Sequence, residues 1–183
     1  EAARDVVLDA FGSVDILING AGGNKREATT GPDAPFFDLP ADAVQWVFNL
    51  NFIGTLLPTQ VFGKVIAEKD DGSIINISSA SSGPPLSKVF TYSITKAGIN
   101  NMTQFLAREW APHQVRVNAI APGFFPAEQN RKLLTEERTA AIMNHTPMHR
   151  FGEPEELAGA VVWLASGRAS SFVTGALVRV DGG

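Results

Sequence analysis

Hydrophobic residues follow two alternating patterns along the chain. Short apolar runs, which are typical of buried strands, occur at Val14–Ile18, Ser73–Ile77, Val115–Ile120 and Ala176–Val180. Longer segments with apolar residues three and four positions apart predict helices at Glu1–Phe11, Ala41–Lys69, Tyr92–Ala111, Leu134–Asn144 and from Pro154 to Leu164. Strands that alternate with helices predict an α/β fold with a parallel sheet covered on both faces.

Glycine and proline mark the expected boundaries of these elements. Gly12 is expected to end the first helix, and Pro58 is expected to kink the long second one. The segments Asn24–Pro40 and Ser78–Phe90 are rich in glycine, proline and small polar residues, and we therefore predict that both are loops.

Composition and charge exclude several classes of function. The 183 residues suit one domain with a sizeable core, and a net charge of −4 without a basic block argues against a nucleic-acid partner. No apolar run reaches the roughly 20 residues that span a bilayer, so no membrane partner is expected. The chain has no cysteine, and His113, His145 and His149 lack ligand spacing, so no metal site is expected. The default location is cytoplasmic.

Three polar residues have a spacing that suggests proton-transfer chemistry. Tyr92 and Lys96 are four residues apart, so on a helix they share a face with Cβ atoms about 5–6 Å apart. A nearby ammonium is expected to lower the tyrosine pKa from about 10. The pair then suits proton exchange with a carbonyl or alcohol, and Ser79 adds a second hydroxyl. A Tyr-x-x-x-Lys pair alone is usually a solvated helix face, so this interpretation depends on other motifs.

Further motifs occur in an order that supports the catalytic interpretation. They are Asn19-Gly20-Ala21-Gly22, Asn51, the set Ser79, Tyr92 and Lys96, Pro122-Gly123, and Val180-Asp181-Gly182-Gly183. In this order the motifs resemble those of the short-chain dehydrogenase/reductase family. That resemblance implies a Rossmann-type, doubly wound parallel sheet and a cofactor that is NAD or NADP.

The resemblance implies a role for each catalytic candidate. Tyr92 would be the general acid or base, and Lys96 would lower its pKa and hold the nicotinamide ribose. Ser79 would hydrogen-bond the substrate oxygen, and Asn51 would hold a water that links Lys96 to solvent. The cofactor-binding residues implied in the same way are Asn19, Ala21, Gly22, Tyr92, Lys96, Pro122, Gly123 and Phe125.

The sequence also departs from the family pattern. Gly20 stands in place of a second asparagine, and Ala127 stands where many members have threonine, so only backbone contacts are expected there. No glycine-rich phosphate loop precedes Val14, and the residue that selects NAD or NADP is absent. We therefore expect residues 1–183 to be the C-terminal two-thirds of the domain. By itself, with Val14–Ile18 as an open apolar edge, this segment is expected to be neither stable nor active.

Two loops bear on the substrate. The segments after Gly22 and Gly123 are polar and contain several cations, which suit a carboxylate unless they are simply solvated. The candidate substrate residues are Asn24, Ser79 and Arg131. These loops resemble the sugar-acid branch of the family, which includes D-mannonate oxidoreductases, also called fructuronate reductases. That resemblance implies interconversion of D-fructuronate and D-mannonate.

Alternatives of the same and of a different class remain open. The protein could be another family reductase, such as a 3-oxoacyl carrier-protein reductase or a gluconate or polyol dehydrogenase. It could also be an inactive member that keeps the fold without binding a cofactor. The resemblance implies a homotetramer, with Phe62 and Phe105 as candidate contacts, although core packing would explain both aromatic residues equally well.

Overall fold

Four parallel strands form a single sheet at the centre of the molecule. The computed structural model describes residues 1–83, 88–126 and 134–183. The strands are β1 (Ile16–Asn19), β2 (Gly72–Ile77), β3 (Val115–Pro122) and β4 (Leu177–Val180). They lie in the order β1-β2-β3-β4, and each pair of neighbours is parallel, with Ile16 opposite Ser73 and Gly72 opposite Val115. The predicted parallel α/β sheet is therefore confirmed.

Helices connect the strands and lie on both faces of the sheet. They are α1 (Ala2–Phe11), α2 (Ala41–Phe48), α3 (Gly54–Ala67), α4 (Phe90–Glu109), α5 (Glu136–Asn144) and α6 (Glu155–Ala165). Gly12 ends α1 as predicted, with a left-handed φ of 75° and its N–H bonded to the Leu8 carbonyl. Helix α5 starts two residues later than expected because Thr135 caps it by accepting from the Arg138 N–H.

The long helix predicted over Ala41–Lys69 is divided. A π-helical turn at Asn49–Ile53 separates α2 from α3, and the Gly54 N–H bonds to the Asn49 carbonyl five residues earlier. The irregularity thus lies before Pro58, the position where the sequence predicted a kink. Pro58, which has no N–H to donate, lies within α3 beyond the π-helical turn.

Two apolar clusters, one on each face, form most of the core. One lies between the sheet and α3 and α4, and it includes Ile66, Ile74 and Val117. The other lies under α6 and contains Ile75, Ile120 and Leu164. Burial on both faces matches the predicted doubly wound arrangement and explains why β2 and β3 are almost continuously buried.

Strand β1 is the edge of the sheet within the described residues, as the sequence led us to expect. It pairs only with β2 there, and Ile16 and Ile18 are 45% and 48% exposed. Phe62 packs against the core cluster beneath α3, whereas Phe105 is 62% exposed. In the part of the molecule that the structure describes, no helix is both long and apolar enough to cross a bilayer.

Candidate functional site

The predicted catalytic residues meet at the carboxyl edge of the sheet. Ser79 lies two residues after β2, and Tyr92 lies in the first turn of α4. Lys96 follows one turn later, and its Nζ donates to the Ile77 carbonyl at 2.8 Å. Since the strands are parallel, their carboxyl ends share one edge, so the loops that follow them can form a common site.

Ser79 is held by its own loop with its hydroxyl directed towards the site. The N–H and hydroxyl of Ser81 donate to Ser79 Oγ at 3.2 and 3.0 Å. Both bonds use Ser79 Oγ as an acceptor, so its own O–H can donate towards Tyr92 or a substrate oxygen. The Ser79 hydroxyl lies close enough to Tyr92 to favour its ionised form, so the two hydroxyls lie side by side where one substrate oxygen could meet both.

Burial dominates the electrostatics of Tyr92 and Lys96. Desolvation raises the pKa of Tyr92, and the hydrogen bond to Ser79 opposes this effect. Desolvation also lowers the pKa of Lys96 to about 8. Lys96 Nζ lies 5.5 Å from the centre of the Tyr92 ring. The expected lowering of the tyrosine pKa is therefore wrong in this arrangement, because burial outweighs the hydrogen bond that favours the phenolate.

Asn51 lies in the π-helical turn and holds the loop that follows β1. Its buried amide donates to the carbonyls of Gly23 at 2.7 Å and Val47 at 2.8 Å, and its Oδ1 accepts from the Gly23 N–H at 3.1 Å. A Cβ at Gly22 would lie 2.8 Å from Asn51 Oδ1 and 3.2 Å from Lys96 Nζ. Glycine is thus required at this close approach. The sequence did not predict this clamp, and the water-holding role of Asn51 stays a prediction.

A first opening, which we call the lysine cleft, has a volume of about 250 Å³. Six of the residues predicted to bind the cofactor line it: Gly22, Tyr92, Lys96, Pro122, Gly123 and Phe125. Ala21 and Asn19 are not among its lining residues. The Asn19 amide nitrogen is buried and donates to Thr59 at 2.9 Å and to Asn76 at 2.8 Å, so this nitrogen is not available to a ligand.

A second opening, the arginine cleft, adjoins the first and has a volume of about 340 Å³. The two clefts share Ser79 and Tyr92, so the hydroxyl pair lies where they meet. The arginine cleft is also lined by Asn24, as predicted, and by Arg138. The other substrate candidate, Arg131, and the family departure at Ala127 lie outside the described residues.

Comparison with known proteins identifies the family. The family model described as enoyl-(acyl carrier protein) reductase matches residues 1–183. A Bacillus subtilis oxidoreductase of uncharacterised activity is 46% identical, over all of this chain and 71% of its own length. The protein belongs to the short-chain dehydrogenase/reductase family. It is accordingly an oxidoreductase that acts on CH–OH groups.

Solved structures and curated dehydrogenases of the family agree with this assignment. A candidate D-mannonate oxidoreductase from Haemophilus influenzae, solved with bound NAD, is 44% identical with a TM-score of 0.92. The match covers all of this chain and 71% of that one. The 2-dehydro-3-deoxy-D-gluconate 5-dehydrogenase of Escherichia coli is 38% identical, over all of this chain and 70% of its own length.

Sequence reasoning missed one residue of this dehydrogenase/reductase site that contacts the serine loop. Asn100 on α4 accepts from Ser78 Oγ at 2.6 Å and donates to Ser82 Oγ at 2.7 Å. Ser82 Oγ in turn donates to the Ser79 carbonyl at 2.6 Å. Helical spacing could have indicated it, since Asn100 lies one turn after Lys96.

Proposed function

We propose that this protein is an NAD(P)-dependent oxidoreductase that interconverts a ketone and a secondary alcohol of a sugar acid. The proposed pair is D-fructuronate and D-mannonate. The observation that carries the proposal is the placement of Ser79 and Tyr92 at the junction of two clefts, one of which contains Lys96. Relatives named for D-mannonate and for 2-dehydro-3-deoxy-D-gluconate support a sugar acid as the substrate.

The residues of the lysine cleft fit a nicotinamide cofactor. Gly22 leaves open a space that a Cβ would fill, directly beside Lys96 Nζ. Lys96 and Tyr92 present an ammonium and a hydroxyl that suit ribose hydroxyls, and Gly123 brings backbone close to the opening. When bound, NAD(P) supplies or accepts the hydride, and NAD in a 44% identical structure supports this choice.

Ser79 and Tyr92 would handle the substrate oxygen. During reduction the oxygen gains negative charge as hydride reaches the carbonyl carbon, and the Ser79 hydroxyl, which accepts from Ser81, would donate to that oxygen and stabilise the charge. Tyr92 would transfer its proton to the same oxygen, giving the neutral alcohol and a phenolate. Because burial raises the Tyr92 pKa, the phenol is protonated at neutral pH and ready to donate.

The proposal is tested by steady-state assays of the full-length protein in both directions. We expect D-fructuronate reduction and D-mannonate oxidation with NAD(H) or NADP(H), and Tyr92→Phe should lower kcat by about 10²–10⁴-fold without loss of folding. Turnover of a 3-oxoacyl thioester, with no turnover of either sugar acid, would show that the substrate assignment is wrong.

We also place the protein in the cytoplasm as a homo-oligomer, and the absence of cysteine suits a reducing compartment.

A further inference from the structure

We propose that Arg138 binds the substrate carboxylate in the arginine cleft and thereby selects acidic substrates over neutral ones. This inference rests on the proposed sugar-acid function and assigns the group that recognises the acid. It concerns a residue that the sequence did not single out, on the first turn of α5.

The charge of the arginine cleft supports this assignment. Among the described residues that line it, Arg138 is the only one with a charged side chain, and no aspartate or glutamate lines the cleft. The remaining lining is made of aromatic, small and hydroxyl-bearing residues, a few aliphatic ones and the amide of Asn24. An anionic group that enters this cleft therefore meets one cation and no competing carboxylate from the described lining.

The guanidinium has a supported position and is free to bind. It lies 5.8 Å from the centre of the Phe124 ring, at cation–π distance. Phe124 is itself held by its carbonyl, which accepts from the Gly152 N–H at 3.0 Å. Glu136 and Glu137 share the first turn of α5, yet neither forms an ion pair with Arg138 in the described part of the molecule.

Other cations near the site are directed elsewhere. Lys25 in the loop after Gly22 lies 5.8 Å from the Trp46 ring centre and does not line the arginine cleft. Arg150 is held by Glu156 through two short bonds of 2.7 and 2.6 Å. Of these described cations, only Arg138 both lines the cleft and lacks an acidic partner.

The cleft also has the layout that a short sugar acid requires. Ser79 and Tyr92 line the part shared with the lysine cleft, where the reacting carbon must lie, and Arg138 lines the part that the lysine cleft does not include. A guanidinium can bind a carboxylate through two parallel hydrogen bonds, which fixes the substrate's orientation as well as its charge. Arg138 would therefore act as a substrate-binding residue that aligns the carbonyl with Ser79 and Tyr92.

The test compares Arg138→Gln and Arg138→Lys with Arg108→Gln, an exposed arginine on α4. Loss of a charge-assisted bond predicts that Arg138→Gln raises KM for D-mannonate by about 10- to 100-fold, while KM for NAD stays unchanged. Arg138→Lys should recover part of the loss, because lysine keeps the charge but not the bidentate geometry. The ratio of kcat/KM for D-mannonate to kcat/KM for the neutral D-mannitol should fall in Arg138→Gln only.

Each other outcome has a defined meaning. Wild-type kinetics of Arg138→Gln with D-mannonate would overturn the role of Arg138 and leave the sugar-acid function intact. A raised KM for NAD in place of D-mannonate would assign the arginine to the cofactor and also overturn the inference. If the wild-type protein turns over D-mannitol or a 3-oxoacyl thioester but no sugar acid, the proposed function and this inference both fail. Thermal melting of each variant separates these results from misfolding.

Discussion

At the residue scale, Lys96 determines much of the site's behaviour because it is a cation in a buried position. It is only 3% exposed, and its one described acceptor is the Ile77 carbonyl at 2.8 Å. Desolvation lowers its pKa from 10.5 to about 8, so its charge is lost only a little above neutral pH. A buried lysine of this kind is costly for folding, and its position beside Gly22 and Tyr92 supports the cofactor-binding role proposed for it.

The first prediction concerns the pH dependence of stability. Between about pH 8 and 10.5 the unfolded protein holds the Lys96 proton while the folded protein has released it, so the free energy of unfolding gains a contribution that rises with pH. Below this window Lys96 is charged in the folded protein, so the full free-energy cost of burying that charge lowers the free energy of unfolding. Relative to Lys96→Met, the wild-type protein should thus gain up to about 3 kcal/mol across the window.

Urea unfolding at pH values below, within and above this window measures the effect. Lys64→Met, at an exposed lysine of α3, is the matched control and should follow the wild-type curve. Parallel pH profiles for the wild-type protein and Lys96→Met would contradict the prediction.

At the scale of elements, α4 is connected to the serine loop by Asn100. This one amide bonds to Ser78 and Ser82, on both sides of Ser79, while α4 itself carries Tyr92. The separation of the two catalytic hydroxyls therefore depends on how α4 and the loop are joined. Since Asn100 is not among the residues lining either cleft, it would act as a positioning residue for Ser79.

The second prediction follows from this connection. Asn100→Leu should lower kcat by about 10-fold, because two hydrogen bonds worth about 1 kcal/mol each no longer hold the serine loop. KM for NAD should stay unchanged, and Asn100→Asp should recover part of kcat because it can still accept from Ser78. A variant with a merely structural role would show lower stability at unchanged kcat per folded molecule.

Asn101→Leu provides the control for this experiment. Asn101 is the exposed neighbour of Asn100 on α4, so its replacement changes the same helix without touching the serine loop. Equal losses of kcat in the two leucine variants would contradict the positioning role.

At the scale of the whole molecule, exposed apolar residues on the helices support the proposed homo-oligomer. Ile94 and Phe105 are 48% and 62% exposed and lie eleven residues apart, which is about three helical turns on one face of α4. Trp46 on α2 and Leu57 on α3 are 46% and 52% exposed. Apolar side chains of this size that group on one surface often mark a site where another protein chain packs.

The third prediction tests this surface. Phe105→Glu should shift the protein towards smaller species in sedimentation velocity, because a carboxylate would be buried without a partner in the assembled form. Gln104→Glu adds the same charge at the exposed neighbouring position and should leave the sedimentation coefficient unchanged. A monomeric wild-type protein at assay concentrations would refute the proposed assembly.

Much of the architecture could be predicted because it is encoded locally. The periodicity of apolar residues determined which segments are strands and helices, and alternation of the two determined a parallel sheet with both faces covered. Motifs at strand ends then assigned Ser79, Tyr92 and Lys96 to one site, since the carboxyl ends of parallel strands share an edge. The sequence did not indicate the π-helical turn at Asn49–Ile53, which precedes Pro58.

Only the tertiary structure decided properties that depend on residues distant in the sequence. Burial of Tyr92 reversed the expected direction of its pKa shift, and the amide nitrogen of Asn19 donates to Thr59 and Asn76. The tertiary structure also decided the contact of Asn51 with Gly23. It likewise placed Arg138 in the cleft that Ser79 and Tyr92 line. Desolvation and side-chain hydrogen bonds depend on three-dimensional packing, which no local spacing encodes. The sequence alone thus indicated the candidate catalytic groups, whereas the fold decided their protonation, their support and the charge of the cleft.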